Sequence, residues 1–304
     1  MKIAIIGAGA MGCLFGAKLS AVQENEVFLL GLRKELVDEI NKNGVQVETD
    51  GVVCTYKNLK AETDAGKVGI SDLVIVFVKS YSTREAVEDK LALFGKKTVA
   101  LTLQNGVGNI EIISDIVGAE NVIAGTTAHG ATTLGFGKVR HAGKGKTAFG
   151  ELDGQSTERI KTVQAVLEKA EIENLISNNV FGIVWDKLLV NAGINALAGI
   201  TRLPNGKILD HPGLINIMSN AVTEGMNVAN AKGIKLIHDN PVKNAKDVCA
   251  ATAKNQASML QDILNGKQTE IDMINGAIVR EGAMLGVKTP VNEVLTNLIK
   301  SIRI

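Results

Sequence analysis

The sequence predicts an α/β N-terminal half followed by an all-α C-terminal half. Three observations carry this. Over the first two-thirds of the chain, short β-branched runs alternate with helical patterns, as parallel βαβ units do. A glycine-rich turn directly follows the first of these runs. From Asn178 onward the pattern changes to long amphipathic segments with little alternation. At 304 residues the chain exceeds one typical domain, since single cores stop growing at about 250–300 residues. Two domains are expected, residues 1–176 and 177–304. Their boundary near Ser177 is a change of composition rather than a flexible linker, so firmly packed domains with a ligand-binding cleft between them are expected.

In chain order, residues 2–6, 26–30, 73–78, 98–103 and 122–127 are the candidate strands. The run Leu73-Val74-Ile75-Val76-Phe77-Val78 is apolar on both faces, which suits a central strand with helices on each side. Residues 132–150 are rich in glycine and predict turns and a hairpin with arms at 138–141 and 147–150. Residues 171–176 are the candidate closing strand. Helical patterns follow over 180–198, 213–232 and 244–264. Asn265-Gly266-Lys267 reads as a helix end, and Thr269 with Asp272 three positions on reads as a capping box for the next helix.

Composition narrows the function classes. The apolar fraction is 45%, the charged fraction 21% and the formal net charge +1, with no basic run, which removes the electrostatic footprint of a nucleic-acid binder. No segment holds the roughly 20 uninterrupted apolar residues that span a bilayer, so a soluble protein without a membrane partner is expected. Cys13, Cys54 and Cys249 are few and scattered, which fits a reducing cytoplasm better than a disulfide framework. His129, His141, His211 and His238 show no paired ligand spacing, so no metal is expected.

Gly7-Ala8-Gly9-Ala10-Met11-Gly12 stands between the first predicted strand and a helical segment. That glycine spacing lets a backbone turn tightly and approach a pyrophosphate, and the helix N-terminus adds its dipole and free N–H groups. The first domain is therefore expected to be a Rossmann-type dinucleotide-binding domain. In NAD-specific sites an acidic residue at the end of the second strand takes the ribose hydroxyls. Here Leu29-Leu30 runs instead into Gly31-Leu32-Arg33-Lys34, which places cations where a 2′-phosphate would lie. NADP(H) is the expected cofactor; the bland alternative is a solvated helix start. Lys79 and Asn105, the latter in Gln104-Asn105-Gly106, stand at the ends of predicted strands, where open α/β sheets bind ligands, although Asn-Gly is also a common turn.

In the helical half, Lys187, Asn191 and Asn195 are spaced by four and share one face of an otherwise apolar helix. A polar stripe is usually just the solvated side. One cation with two neutral amides, however, suits a ligand better than it suits a generic charged exterior. Hydride transfer to a ketone builds negative charge on oxygen, which Lys187 can stabilise and then protonate. Asn191 and Asn195 offer both donors and acceptors to a hydroxylated acid.

These pieces, with Trp185-Asp186-Lys187-Leu188, Ser258-Met259-Leu260-Gln261-Asp262 and Thr269-Glu270-Ile271-Asp272, resemble the ketopantoate reductase (2-dehydropantoate 2-reductase) family over essentially the whole chain. The resemblance implies NADPH-dependent reduction of 2-dehydropantoate to (R)-pantoate, a step toward pantothenate and coenzyme A. It implies Lys187 as proton donor, and Asn191, Asn195, Asn205 and Ser258 as substrate ligands. Asn105 would be shared between cofactor and substrate, and Glu270 would order the nicotinamide side. Arg33, Lys79 and Gly130 would join the glycine turn in holding NADPH. A homodimer is compatible with the resemblance. One departure is visible: Ala196 stands where many members carry proline. The competing readings are a reductase of a different 2-keto acid and a non-catalytic NADP-binding sensor, against which Lys187 and Glu270 together weigh.

Overall fold

The computed structural model describes residues 1–302. The chain forms two units, Met1–Gln104 with Asn109–Val180, and Asn105–Gly108 with Phe181 onward.

The first unit begins with β1 (Lys2–Ile6), α1 (Ala10–Ser20), β2 (Glu26–Leu30) and α2 (Lys34–Asn43). It continues with β3 (Val45–Thr49), β4 (Val52–Tyr56), β5 (Lys60–Glu62), α3 (Ala65–Val68) and β6 (Leu73–Val76). Then come α4 (Thr83–Glu88), β7 (Val99–Thr102), α5 (Asn109–Val117) and β8 (Val122–Thr127). It closes with β9 (Gly130–Gly135), β10 (Lys138–Gly143), β11 (Thr147–Glu151), α6 (Glu158–Lys169) and β12 (Asn174–Ile176).

Eight strands form one sheet in the order β12-β11-β8-β7-β6-β1-β2-β5. Neighbours run parallel except β11, which is antiparallel to β8. Alternate side chains of β1 point to opposite faces, and both faces are buried. Ile3 and Ile5 join a core with α1 and α6, whereas Ala4 and Ile6 join a second core with α3, α4 and α5. A smaller sheet, β4-β3-β10-β9, packs against α1 and supplies Val45, Val47 and Val139 to the first core. With sheets on two sides, α1 is apolar around most of its circumference, which its sequence AMGCLFGAKLS provides. β4 is the outer strand of the smaller sheet and leaves Val52, Val53 and Cys54 exposed.

The second unit is built around α7 (Val180–Thr201). This helix is long and apolar enough to pass a membrane-span test by composition, yet 72% of its most apolar window is buried inside the structure. It is the core helix, surrounded by α8 (Asn205–Ile208), α9 (Pro212–Ala231), α10 (Pro241–Ala251), α11 (Ser258–Leu264), α12 (Asn275–Leu285) and α13 (Pro290–Ser301). Trp185, Leu188, Leu189 and Ala192 pack there with Met218, Val222, Cys249, Met259, Ile278 and Leu295.

Three sequence expectations are corrected. The expected hairpin arms do not pair with each other: β10 lies between β9 and β3, and β11 lies between β8 and β12 in the larger sheet. The expected helix over 244–264 is two helices, α10 and α11. The Asn205 and Gly206 N–H groups donate to the Asn255 and Ala253 carbonyls at 2.9 and 3.1 Å, taking up acceptors that the break releases. Thr269 and Asp272 form no capping box. A 3-10 turn over Ile271–Met273 intervenes, and α12 starts only at Asn275 with no side-chain cap. His129 and His141, which show no paired ligand spacing in the sequence, stand 3.0 Å apart between Nδ1 and Nε2 through the strand pairing of β9 with β10.

Candidate active site

The glycine turn of the first unit has the shape its spacing predicts. Gly7 has φ +112°, and a Cβ there would meet the Val78 nitrogen at 2.8 Å; a Cβ on Gly12 would meet the Gly7 carbonyl oxygen. Gly9 differs: it is exposed, and a Cβ there would meet nothing within 4 Å. It caps α1 without a side chain, and the first turn, carrying Ala10 and Met11, has no acidic residue. The cradle is thus open space over unsatisfied N–H groups at the positive end of an 11-residue helix, with Ala8 buried beneath it. These residues fit a dinucleotide pyrophosphate.

At the end of β2, Gly31 is buried while Leu32, Arg33 and Lys34 are exposed. Arg33 is the extended N-cap of α2, and its guanidinium lies over the ring of Phe136 at 4.7 Å from the centroid. An arginine and a lysine at a helix N-terminus run against the dipole unless an anion is shared between them.

Lys79 is half-buried just beyond β6 and precedes a 3-10 turn over Ser80–Ser82. Its position is fixed by a buried polar network. Gln104 Nε2 donates to the Val78 carbonyl at 2.7 Å and to Thr83 Oγ1 at 2.9 Å, and Thr102 Oγ1 donates to Gln104 Oε1 at 3.0 Å. Thr83 Oγ1 donates in turn to Asn109 Oδ1 at 2.8 Å. The network ties the end of β6 to the end of β7. Thr83 and Asn109 had no role in the sequence reading, and Gln104 figured only as part of the Gln104-Asn105-Gly106 motif, because burial of a polar side chain leaves no local signal. Gly130 begins β9 opposite Gly143, half-buried.

The second unit gathers Asn105, Lys187, Asn191, Asn195, Asn205, Ser258 and Glu270. Lys187 is half-buried on α7. Burial pushes its pKa down from 10.5 to about 8, and the Glu270 carboxylate opposes that fall. Glu270 is 6% exposed, at the head of the 3-10 turn whose Met273 carbonyl accepts from the Val107 N–H at 3.2 Å, two residues past Asn105. One helical turn apart along α7 follow Asn191, half-buried, and Asn195, buried; Asn195 Nδ2 stands 3.5 Å from Ser258 Oγ, at the long limit of a hydrogen bond. Ser258 is exposed at the start of α11. Asn205 is set apart from this cluster's hydrogen bonding. Its Nδ2 donates to Thr252 Oγ1 at 2.9 Å and its carbonyl accepts from Cys249 Sγ, so α8 is held to α10.

Asp186, next to Lys187, also had no assigned role. Its buried Oδ2 accepts from the Ile237 and His238 N–H groups at 3.1 and 3.0 Å and lies 2.7 Å from His238 Nδ1. The carboxylate binds the loop between α9 and α10 to the helix that carries Lys187. An acid inside an apolar helix was the available signal.

Comparison with known proteins adds the chain's relationships. The family model described as ketopantoate reductase PanE/ApbA matches residues 3–154, and its C-terminal companion matches residues 179–303. A 2-dehydropantoate 2-reductase from Halobacterium salinarum is 35% identical over 301 residues, covering 99% of this chain and 98% of that one. One from Pyrococcus horikoshii is 36% identical, covering 99% and 97%. Among solved structures, a PanE/ApbA family ketopantoate reductase from Ralstonia eutropha superposes with TM-score 0.91 at 33% identity, covering 99% and 98%. A D-mandelate dehydrogenase solved with NADH and anilino(oxo)acetate superposes with TM-score 0.92 at 31% identity, with the same coverage.

Proposed function

The chain belongs to the ketopantoate reductase family, and on that premise we propose that it reduces 2-dehydropantoate to (R)-pantoate with NADPH, using Lys187 as the proton donor. The observation that carries this reading is Lys187 itself: a half-buried ammonium with its pKa lowered to about 8, beside Glu270 and on the same helix as Asn191 and Asn195.

When bound, NADPH supplies the hydride that adds to the C2 carbonyl carbon of the substrate. The protein supplies the rest. The Lys187 ammonium donates a hydrogen bond to the C2 oxygen, stabilises the negative charge that grows there, and transfers its proton to complete the alcohol. A pKa near 8 leaves the group protonated at neutral pH while making it a stronger acid than an ordinary lysine. Glu270 keeps that pKa from falling further, so the proton is present when needed. Asn195 and Ser258, with Asn191, present amide and hydroxyl groups to the carboxylate and hydroxyl of the acid. The glycine turn and α1 hold the pyrophosphate, with Lys79 and Gly130 as further cofactor contacts and Asn105 between cofactor and substrate. Arg33 with Lys34 takes the 2′-phosphate, which is the basis for NADPH over NADH.

A second reading, reduction of a different 2-keto acid, is favoured by one observation: the D-mandelate dehydrogenase of the same fold, solved with NADH and anilino(oxo)acetate. Oxidation of NADPH followed by absorbance separates the two. Turnover with 2-dehydropantoate and not with benzoylformate, lost in Lys187→Ala, supports the first. Preferential turnover of benzoylformate establishes the second.

A further inference from the structure

We propose that Phe136, at the turn between β9 and β10, is a positioning residue for NADPH selectivity: it holds the Arg33 guanidinium in place to receive the 2′-phosphate of the adenosine. The inference rests on the reading of Arg33 as the 2′-phosphate ligand and adds the residue through which Arg33 is preorganised.

Arg33 ends an extended stretch at the head of α2, on an exposed corner. Its guanidinium enters no ion pair with a carboxylate among the described residues, so its charge is not already spent. The packing partner is the Phe136 ring, 4.7 Å from the guanidinium carbon. An arginine over a ring face is held by its positive charge against the negative π cloud, and it keeps its N–H groups directed around the rim. A long exposed side chain otherwise samples many rotamers, and ordering it beforehand removes a cost that a binding anion would have to meet.

The turn that carries Phe136 is fixed in place. Gly137 is buried with φ +64°, and a Cβ there would stand 3.1 Å from Ile40 Cγ1 of α2 and 3.2 Å from the Gly44 carbonyl oxygen. The Gly137 carbonyl accepts the Gln46 N–H at 2.8 Å, and Lys138 pairs with Gln46 in the sheet. The turn is therefore clamped to the same helix that Arg33 caps. Phe136 itself remains 39% exposed, and Leu32, the residue before Arg33, is 83% exposed. An exposed guanidinium held over an exposed ring matches the chemistry of 2′-phosphoadenosine, an aromatic base on a ribose that carries a phosphate dianion.

The test uses the full-length protein and two fragments as competitive inhibitors against NADPH, 2′,5′-ADP and 5′-AMP, in wild type and in Phe136→Leu, Phe136→Trp and Arg33→Ala. Leucine keeps apolar bulk but removes the π face; tryptophan restores it. Arg33→Ala is expected to weaken 2′,5′-ADP by about 10- to 100-fold with little change for 5′-AMP. Phe136→Leu is expected to lower the preference for 2′,5′-ADP over 5′-AMP by about 2- to 5-fold, with Phe136→Trp close to wild type. A Phe136→Leu variant that weakens both fragments equally, or neither, while Arg33→Ala discriminates, overturns the role of Phe136 and leaves that of Arg33 standing. An Arg33→Ala variant that treats both fragments alike overturns both.

Discussion

Lys187 is pulled in two directions: burial lowers its ammonium pKa to about 8, and the Glu270 carboxylate holds it from falling further. A donor so placed is present at neutral pH and readily gives up its proton, and the relation has measurable consequences.

Replacing Lys187 by alanine removes the proposed proton donor without touching the glycine turn. The expected result is a loss of about 10²- to 10⁴-fold in kcat, the usual worth of general acid catalysis, with NADPH affinity unchanged by fluorescence titration. A parallel loss of NADPH affinity would show that the lysine serves binding instead.

The pH profile follows from the direction of the shift. In the proposed mechanism reduction needs the protonated lysine, so kcat/KM is expected to fall as pH rises through about 8 rather than near the usual lysine value of 10.5. Glu270→Gln removes the charge that raises this pKa, and the alkaline limb moves to lower pH. A limb that stays in place or moves upward would separate Glu270 from the titration of Lys187.

Two glycines of the turn are expected to fail in different ways. Gly9→Val puts a side chain into open space, so thermal stability stays near wild type while NADPH binding is lost. Gly12→Val drives a side chain into the Gly7 carbonyl and lowers the melting temperature as well. Equal effects on stability would deny that the space over Gly9 is reserved for a ligand.

The His129–His141 pair makes the N-terminal unit acid-sensitive. Burial first, then the neighbouring His141, lowers the His129 pKa from 6.5 to about 4; burial and Lys18 lower that of His141. The unfolded chain therefore takes up these protons before the folded one does. The contribution of the neutral pair is fully present above about pH 6.5 and is lost as pH falls toward about 4. Thermal denaturation across that window should show a decline that His129→Gln flattens.

Much of the larger sheet was legible because its strands declare themselves locally: β1, β2 and β8 were expected with the bounds they have, whereas the three-residue edge strand β5 was not expected and β11 was expected as a hairpin arm. The smaller sheet was not. β3 pairs with β10 across some 90 residues of chain, and neither Val45–Thr49 nor Lys138–Gly143 names its partner. The break between α10 and α11 carries no glycine or proline; the backbone of Asn205 and Gly206 makes it, from a distant part of the chain. In the site, the stripe of Lys187, Asn191 and Asn195 was visible as a helical repeat. Asn205 comes from the motif rather than from a repeat; its Nδ2 is bonded to Thr252 Oγ1, which leaves its Oδ1 buried without a hydrogen-bond partner among the described residues. Gln104 and Asp186 act through buried bonds that no spacing reveals.

The β3–β10 pairing also sets a schedule for biosynthesis. β3 and β4 are neighbours in sequence and are both available for pairing once they leave the ribosome, yet β10 is translated some 90 residues after β3, roughly 5–20 s at ordinary elongation rates. Throughout that interval one margin of the nascent hairpin has no neighbour, while Val52 and Val53 on the other strand stay bare even in the finished protein. The hairpin spanning 45–56 thus waits for its second neighbour until β10 is made, and slowing elongation between codons 57 and 137 lengthens that wait.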